Sequence, residues 1–322
     1  MSFLLNIIRD SFVTVPPQEE DCTGKTFVIT GANSGIGLET ARHLVELDAA
    51  KVILACRSIE KGEQAKKSIE ESTGKHNIVE VWQLDLASYE SVREFASQLN
   101  KLERVDALVN NASLLIFERQ IVEGHESMLT VNVISTALLT LLVLPSLRLT
   151  AVKFNTVPHI VIMSSDAAAD VRLPTKELNI FEALDAEASV LDRYGKTKLL
   201  QAMLMLQLSR TIDASGKGHI IINAVHPGLC STQLFRNIPF PFSLFMSALV
   251  AIFGRTPEMG SRALLAGAFA GETLHGKLMF NGEEYEFPKC MQGDEGEKLN
   301  KRVWEELTEL LEGIEPGVTN NI

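Results

Sequence analysis

Residues 26–37 read Thr26-Phe27-Val28-Ile29-Thr30-Gly31-Ala32-Asn33-Ser34-Gly35-Ile36-Gly37, an apolar run that breaks into a glycine-rich turn and leads into a helical stretch. A turn of this kind lets a pyrophosphate rest on the N-terminus of the following helix, where free N–H groups and the helix dipole favour negative charge. Gly31 permits a tight exit from the strand. Gly35 and Gly37 remove side chains where backbone approaches the anion and where helix closes on sheet. Ala32, Asn33 and Ser34 set small or polar groups beside that anion, and Ile36 separates the last two glycines.

Outward from this turn, strand-like runs alternate with helix-like ones. Continuous apolar stretches at Thr26–Thr30, Lys51–Ala55, Ile78–Leu84, Ala107–Asn110, His159–Met163, Ile220–Val225 and Leu278–Phe280 read as parallel strands covered on both faces. Helical periodicity lies between them, at about 36–48, 60–72, 88–101, 125–148, 187–212 and 257–270. The expected fold is a single α/β, Rossmann-type, doubly wound domain, its mostly parallel sheet of seven strands flanked by helices on both faces. The boundaries expected are an N-terminal extension over 1–23, the main α/β domain over 24–290, in which about 232–256 stands outside the strand–helix alternation, and a C-terminal helical tail over 291–322. Val303, Leu307, Leu310 and Leu311 predict that the tail helix docks along one edge.

With 322 residues, 46% hydrophobic and 22% charged, the chain can bury a large core. A net charge of −11 leaves no basic stripe, so nucleic acid is not an expected partner. Cys22, Cys56, Cys230 and Cys290 are scattered and no histidine stands at metal-ligand spacing, which predicts reduced thiols, a cytoplasmic setting and no metal. The apolar stub Ser2–Ile8 lacks a basic flank and is expected to pack or fray rather than to act as a leader.

The end of the second strand selects between cofactors. A ribose 2′-hydroxyl is met by a carboxylate at this position, whereas a 2′-phosphate needs positive charge. Here the residues are Leu54-Ala55-Cys56-Arg57-Ser58, with no acid before Glu60. Arg57 suits a forked contact to phosphate, so NADP(H) is favoured over NAD(H); a solvated surface arginine is the alternative. Asp85 follows the third strand and could accept from an adenine amino group or cap the next helix. Asn110-Asn111 ends the fourth strand, where Asn111 could steady the glycine turn and a ribose. Further on, Tyr194-Gly195-Lys196-Thr197-Lys198 puts Tyr194 and Lys198 on one face of a helix.

The ordered set Thr30-Gly31-x-x-x-Gly35-Ile36-Gly37, Asp85, Asn110-Asn111-Ala112, Asn132, Ser165, Tyr194-x-x-x-Lys198 and Pro227-Gly228 resembles the short-chain dehydrogenase/reductase family from about Lys25 to Phe280. Ala55-Cys56-Arg57 and His226–Thr232 look most like its retinol-dehydrogenase-like and WW-domain-oxidoreductase-like branch, and the tail around Arg302–Glu306 is similar to that of fungal members. The resemblance implies hydride transfer between a nicotinamide and a carbonyl or alcohol. Chemistry supports the same roles. A developing alkoxide needs an acid, Tyr194 can supply it, and the Lys198 ammonium would favour phenolate and hold the nicotinamide ribose. Ser165 would orient the substrate oxygen, with Ser164 as the neighbouring alternative. Asn132 would hold a water that relays protons from Lys198. Pro227 and Gly228 would bracket the nicotinamide, with Thr232 near its carboxamide, and His226 is expected to be packed or capped.

Two departures bear on the substrate. Ser113 stands where the family has glycine, so it could shift the loop or touch the substrate. The 166–193 segment is long and could form a substrate-facing loop. Asn237–Gly254 carries no charge and, within about 232–256, matches the position of a substrate lid, which predicts a lipophilic small-molecule substrate. Peripheral contact with a membrane, or a span, remains open for this segment. Ketone or aldehyde reduction in retinoid-like, steroid-like or secondary-metabolite chemistry is the favoured activity; a redox-neutral epimerase or cyclase, or a non-catalytic NADPH-binding scaffold, is the alternative. Helices 128–147 and 199–208, apolar nearly all round, suggest a homodimer or homotetramer.

Overall fold

Strands form where aliphatic residues run together, and in the computed structural model, which describes residues 13–175, 179–186 and 189–322, eight of them share one sheet. In chain order the strands are β1 (Thr26–Thr30), β2 (Lys51–Cys56), β3 (Val79–Gln83), β4 (Ala107–Asn110), β5 (Ile121–Val122), β6 (His125–Glu126), β7 (His159–Met163), β8 (Ile221–His226), β9 (Lys277–Phe280) and β10 (Glu283–Tyr285). Strands β5 and β6 form a separate hairpin, and the main sheet runs β3-β2-β1-β4-β7-β8-β9-β10. All its pairs are parallel except β9 with β10. Val28 lies opposite both Ile53 and Leu108, so β1 sits at the centre. The strand order reverses between β1 and β4, which opens a crevice at their carboxyl ends.

The sheet has eight strands where seven were expected. Glu283-Glu284-Tyr285 has no apolar run, because it is an edge strand. What makes it is the turn before it, Asn281-Gly282, with φ of 54° and 85°. Both residues in the left-handed region give the tight turn whose twist suits a hairpin.

The helices are α1 (Gly35–Glu46), α2 (Ile59–Thr73), α3 (Tyr89–Leu99), α4 (Ser127–Phe154), α5 (Ile180–Asp185), α6 (Val190–Ser215), α7 (Phe242–Phe253), α8 (Pro257–Ala268) and α9 (Gly293–Ile314). One face of the sheet is covered by α1, α2 and α8 through residues such as Leu44, Ile69 and Leu264. The other is covered by α3, α4 and α6 through Phe95, Leu138 and Met203. Helix α4 is the one helix among the described residues long and apolar enough to cross a membrane, yet 89% of its apolar window is buried inside the protein. Helix α7 has 12 residues. At 1.5 Å per residue that is about 18 Å, short of the roughly 30 Å hydrocarbon core, so the 237–254 stretch is not a helical span.

The tail docks on helices rather than along a sheet edge. Val303, Leu307 and Leu311 of α9 join the core beside α6, and Val318 and Ile322 close over α4. The all-round apolar character of α4 and α6 is therefore met in large part within the chain, and residues 291–322 belong to the core of the main α/β domain. At the other end Val15 and Cys22 are fully buried and pin an otherwise mostly exposed extension, while residues 1–12 lie outside the described residues.

Candidate active site

Helices α2, α3 and α8 start on Ser58, Ser88 and Thr256, whose side chains accept from Lys61 N, Ser91 N and Met259 N. Helix α1 differs. Ser34 makes no such bond and the first turn holds no acid, so the N–H groups of α1 face the cavity uncapped. The glycine turn is held by its neighbours. Asn111 Nδ2 donates to Thr30 O at 2.8 Å and to Gly31 O at 3.3 Å, and Ala112 N donates to Thr30 Oγ1 at 2.9 Å. A Cβ on Gly37 would stand 2.5 Å from Asn111 Nδ2, which is why this residue has no side chain. Burial pushes the Cys56 thiol up to about 11, and its sulfur accepts from the Ala32 and Asn33 backbone.

This turn opens on a cavity of about 1190 Å³ at the carboxyl edge of the sheet. Ligand pockets run to roughly 300–1,000 Å³, so there is room for a dinucleotide together with a substrate. Gly31, Asn33, Ser34, Gly35, Ile36, Arg57, Asn111, Ser113, Ser165, Tyr194, Lys198, Pro227, Gly228 and Thr232 all line it. Three expected residues do not. Gly37 packs behind the turn. The Asp85 carboxylate accepts from Ala87 N at 3.0 Å, while Ser88 caps α3. Asn132 is fully buried beneath the cavity.

Arg57 is exposed at the end of β2 and makes no ion pair with any described residue. Lys61, one helical turn on, lines the same end. The carboxylates among the lining residues, Asp166 and Asp192, belong to the elements around Tyr194. Uncapped N–H groups and two cations without a competing acid suit a 2′-phosphorylated dinucleotide. The spacing of Lys61 after Arg57, four residues, was its signal in the sequence.

Tyr194 and Lys198 both come from α6. The hydroxyls of Ser113 and Ser165 stand beside the Tyr194 hydroxyl and act to lower its pKa. Ser165 thus meets the tyrosine, whereas the Ser164 hydroxyl is buried without a partner among the described residues. Lys198 Nζ donates to Met163 O at 2.8 Å and to Gln201 Oε1 at 2.9 Å, and lies 5.7 Å from the centre of the Tyr194 ring. The ammonium was expected to favour phenolate. Burial outweighs it: Tyr194 is pushed up to about 12, offset in part by the Ser113 and Ser165 hydroxyls, and Lys198 is pushed down to about 7. Among the described residues no carboxylate pairs with Lys198 to hold its charge.

Asn132 sits in a π-helical turn, Thr130–Ile134, a local widening of α4. Its side chain accepts from Leu114 N at 2.7 Å and donates to Leu114 O and Thr197 Oγ1, each at 3.0 Å. Its carbonyl accepts from Gln201 Nε2 at 2.6 Å. The Gln201 side chain, one turn beyond Lys198, thus links Lys198 Nζ to the Asn132 carbonyl. Ser113 Oγ also reaches Asn132 Oδ1 at 3.4 Å, so its added bulk is spent on Tyr194 and Asn132.

His226 is buried and stacked on Phe280 at 4.6 Å between ring centres. Its Nδ1 accepts from Gly228 N at 3.2 Å, which leaves Nε2 to face Asp166 Oδ1 at 2.9 Å. It is packed, as expected, and its ring stands between Asp166 of the Ser165 turn and the Pro227-Gly228 loop. Arg255 fixes that loop from behind, donating to Pro227 O at 3.0 Å and to Val13 O at 3.1 Å. The two ends of the lid meet there, where Cys230 and Arg255 form a parallel bridge.

The remaining walls are largely apolar, with Leu114, Leu115 and Phe117 after β4 and Leu234, Phe235, Ile238, Phe242, Phe245 and Met246 from residues 232–256, beside the polar pair Gln233 and Arg236. Thr232 caps the short helix Gln233–Asn237. Phe242, Leu244 and Phe245 of α7 are more than half exposed at the mouth. Of the 166–193 segment, Asp166, Ala167 and Asp192 reach the cavity. Helix α5 is bonded elsewhere, with Ile180 N donating to Glu306 Oε2 at 2.6 Å and Asp185 bonded to His125 at 2.7 Å. Residues 176–178 and 187–188 lie outside the described residues.

A profile described as "short chain dehydrogenase" matches residues 25–175. The chain is 39% identical to the short chain dehydrogenase/reductase dmxR8 of Cryptosporiopsis sp. (strain 8999), over 96% of this chain and 97% of that protein. It belongs to the short-chain dehydrogenase/reductase family. The short-chain dehydrogenase anuD of Penicillium roqueforti is 36% identical over 99% of this chain and 85% of its own length. Among solved structures, the Pseudomonas aeruginosa RhlG/NADP active-site complex matches with a TM-score of 0.61 and 25% identity, over 80% of this chain and 94% of that one. These curated relatives are fungal, in keeping with the tail. As a short-chain dehydrogenase/reductase the protein is an oxidoreductase with a nicotinamide cofactor.

Proposed function

We propose that the protein reduces a lipophilic ketone or aldehyde with NADPH. One observation carries the reading: Tyr194, Lys198, Ser113 and Ser165 line one largely apolar cavity that continues to an uncapped helix N-terminus and to Arg57 and Lys61. The α1 N-terminus would hold the pyrophosphate of the reduced dinucleotide and Pro227 and Gly228 its nicotinamide, which would supply the hydride for the new C–H bond at the carbonyl carbon. The chain supplies the proton. The Tyr194 O–H bond breaks as the alkoxide O–H bond forms, and the phenolate left behind is stabilised by the Ser113 and Ser165 hydroxyls and the Lys198 ammonium. Burial keeps the Tyr194 phenol protonated at neutral pH, the form that donates to an alkoxide. Largely apolar walls and an apolar rim on α7 support a lipophilic substrate.

The test is turnover of lipophilic carbonyls with NADPH, followed by mass spectrometry. Tyr194→Phe should bind NADPH and lose turnover by a factor of about 100 or more. Unchanged turnover would remove Tyr194 from the chemistry. A product of unchanged oxidation state, with no net NADPH consumed, would favour an epimerase or cyclase instead.

A further inference from the structure

Lys198 is fully buried, and an ammonium buried without a counter-charge must spend its donors on neutral acceptors. Two are in place, Met163 O at 2.8 Å and Gln201 Oε1 at 2.9 Å. Gln201 is itself fully buried and is anchored through Nε2 to Asn132 O at 2.6 Å. Its neighbours Leu199, Leu200, Ala202 and Met203 are all buried and apolar, so this amide has no packing reason to be polar. We infer that Gln201 is a positioning residue: its amide bridges Lys198 to the Asn132 carbonyl, aims the ammonium at the Tyr194 side of the cavity and closes its interior side to solvent. An amide with both ends engaged does not pass protons along as a water does. Lys198 therefore exchanges its proton through the cavity, between turnovers.

This inference rests on the reductase reading for its kinetic arm only. The titratable groups on the elements around the ammonium are Tyr194 and Asp192 on α6, and Asp166 beyond β7, which faces His226 of β8. Arg193 is turned toward Glu126 at 3.9 Å, and Asn132 and Ser113 carry no charge. A carboxylate in place of the Gln201 amide would thus be the first acid in contact with Lys198. In Gln201→Glu the pH at which kcat falls, as Lys198 loses its proton, should rise by about one pH unit or more. In Gln201→Leu, which keeps an apolar side chain in an apolar helix, that midpoint should fall and kcat at pH 7 should drop about tenfold. The same shifts should appear in the 13Cε titration of Lys198 by NMR, the resonance being assigned by its loss in Lys198→Met. That readout needs no turnover, so a wild-type enzyme that reduces no carbonyl would defeat the reductase reading while the titration still decides on Gln201. If Gln201→Glu fails to fold, Gln201→Leu alone carries the test. A folded variant with the wild-type Lys198 midpoint would overturn the inference.

Discussion

Replacing Arg57 by alanine removes one of two cations at the β2 end of the cavity and leaves the glycine turn untouched. Arg57 is exposed and bound to no described residue, so the change costs the fold little. Its value lies in the cofactor. A hydrogen bond to a charged group is worth about 1.5–3 kcal/mol, and an exposed site keeps the lower end, which converts to about a tenfold rise in KM for NADPH. Lys61 lines the same end, so binding is weakened rather than abolished. The double variant Arg57→Ala, Lys61→Ala should lose about 100-fold if the two act independently. KM for NADH should move less than twofold in either protein, because a 2′-hydroxyl offers these cations nothing to pair with. Initial rates at saturating carbonyl, followed at 340 nm and low ionic strength, give all four constants. Equal rises for NADPH and NADH would show that Arg57 acts on the loop and would refute the assignment to the 2′-phosphate.

Two further outcomes come from the packing. Ser113→Ala removes one of the two hydroxyls on Tyr194, and kcat should fall about tenfold while the urea midpoint stays put; a wild-type rate would reduce Ser113 to a loop filler. Leu311→Ala, at a fully buried position of α9, should cost about 2–5 kcal/mol in urea unfolding, and a cost near zero would mean that the tail is not part of the core.

Much of the site could be read before the fold because its residues fall at strand ends. A buried parallel strand announces itself as a short aliphatic run, and the residues just past its end land at one edge of the sheet. Gly31, Arg57, Asn111, Ser165 and Pro227 were found in that way. The edge strand β10 was not, since its carboxylates hide it; the Asn281-Gly282 turn was its only mark. Gln201 and Asp166 were missed for another reason. Each is a lone polar residue whose meaning lies in a partner far along the chain, Asn132 for one and His226 for the other. The balance of proton affinity between Tyr194 and Lys198 depends on burial, which spacing alone does not report. The 166–193 segment looked substrate-facing from its length, yet α5 spends its bonds on α9 and on the β5–β6 hairpin.

The bridge between Cys230 and Arg255 has a bearing on how such enzymes diversify. It brings together the first and last residues of a stretch that includes Gln233–Asn237 and α7, and Arg255 secures the junction against Pro227 and the N-terminal arm. The stretch between is a closed excursion. Its length and side chains can change without moving the residues on either side, since lengthening a loop whose ends are already fixed costs little. Tyr194, the Pro227-Gly228 loop and this excursion are therefore built as separable parts of the structure. A new substrate preference can be drafted in residues 232–254 while the chemistry beneath is kept, and grafting that excursion between two relatives should carry the preference with it.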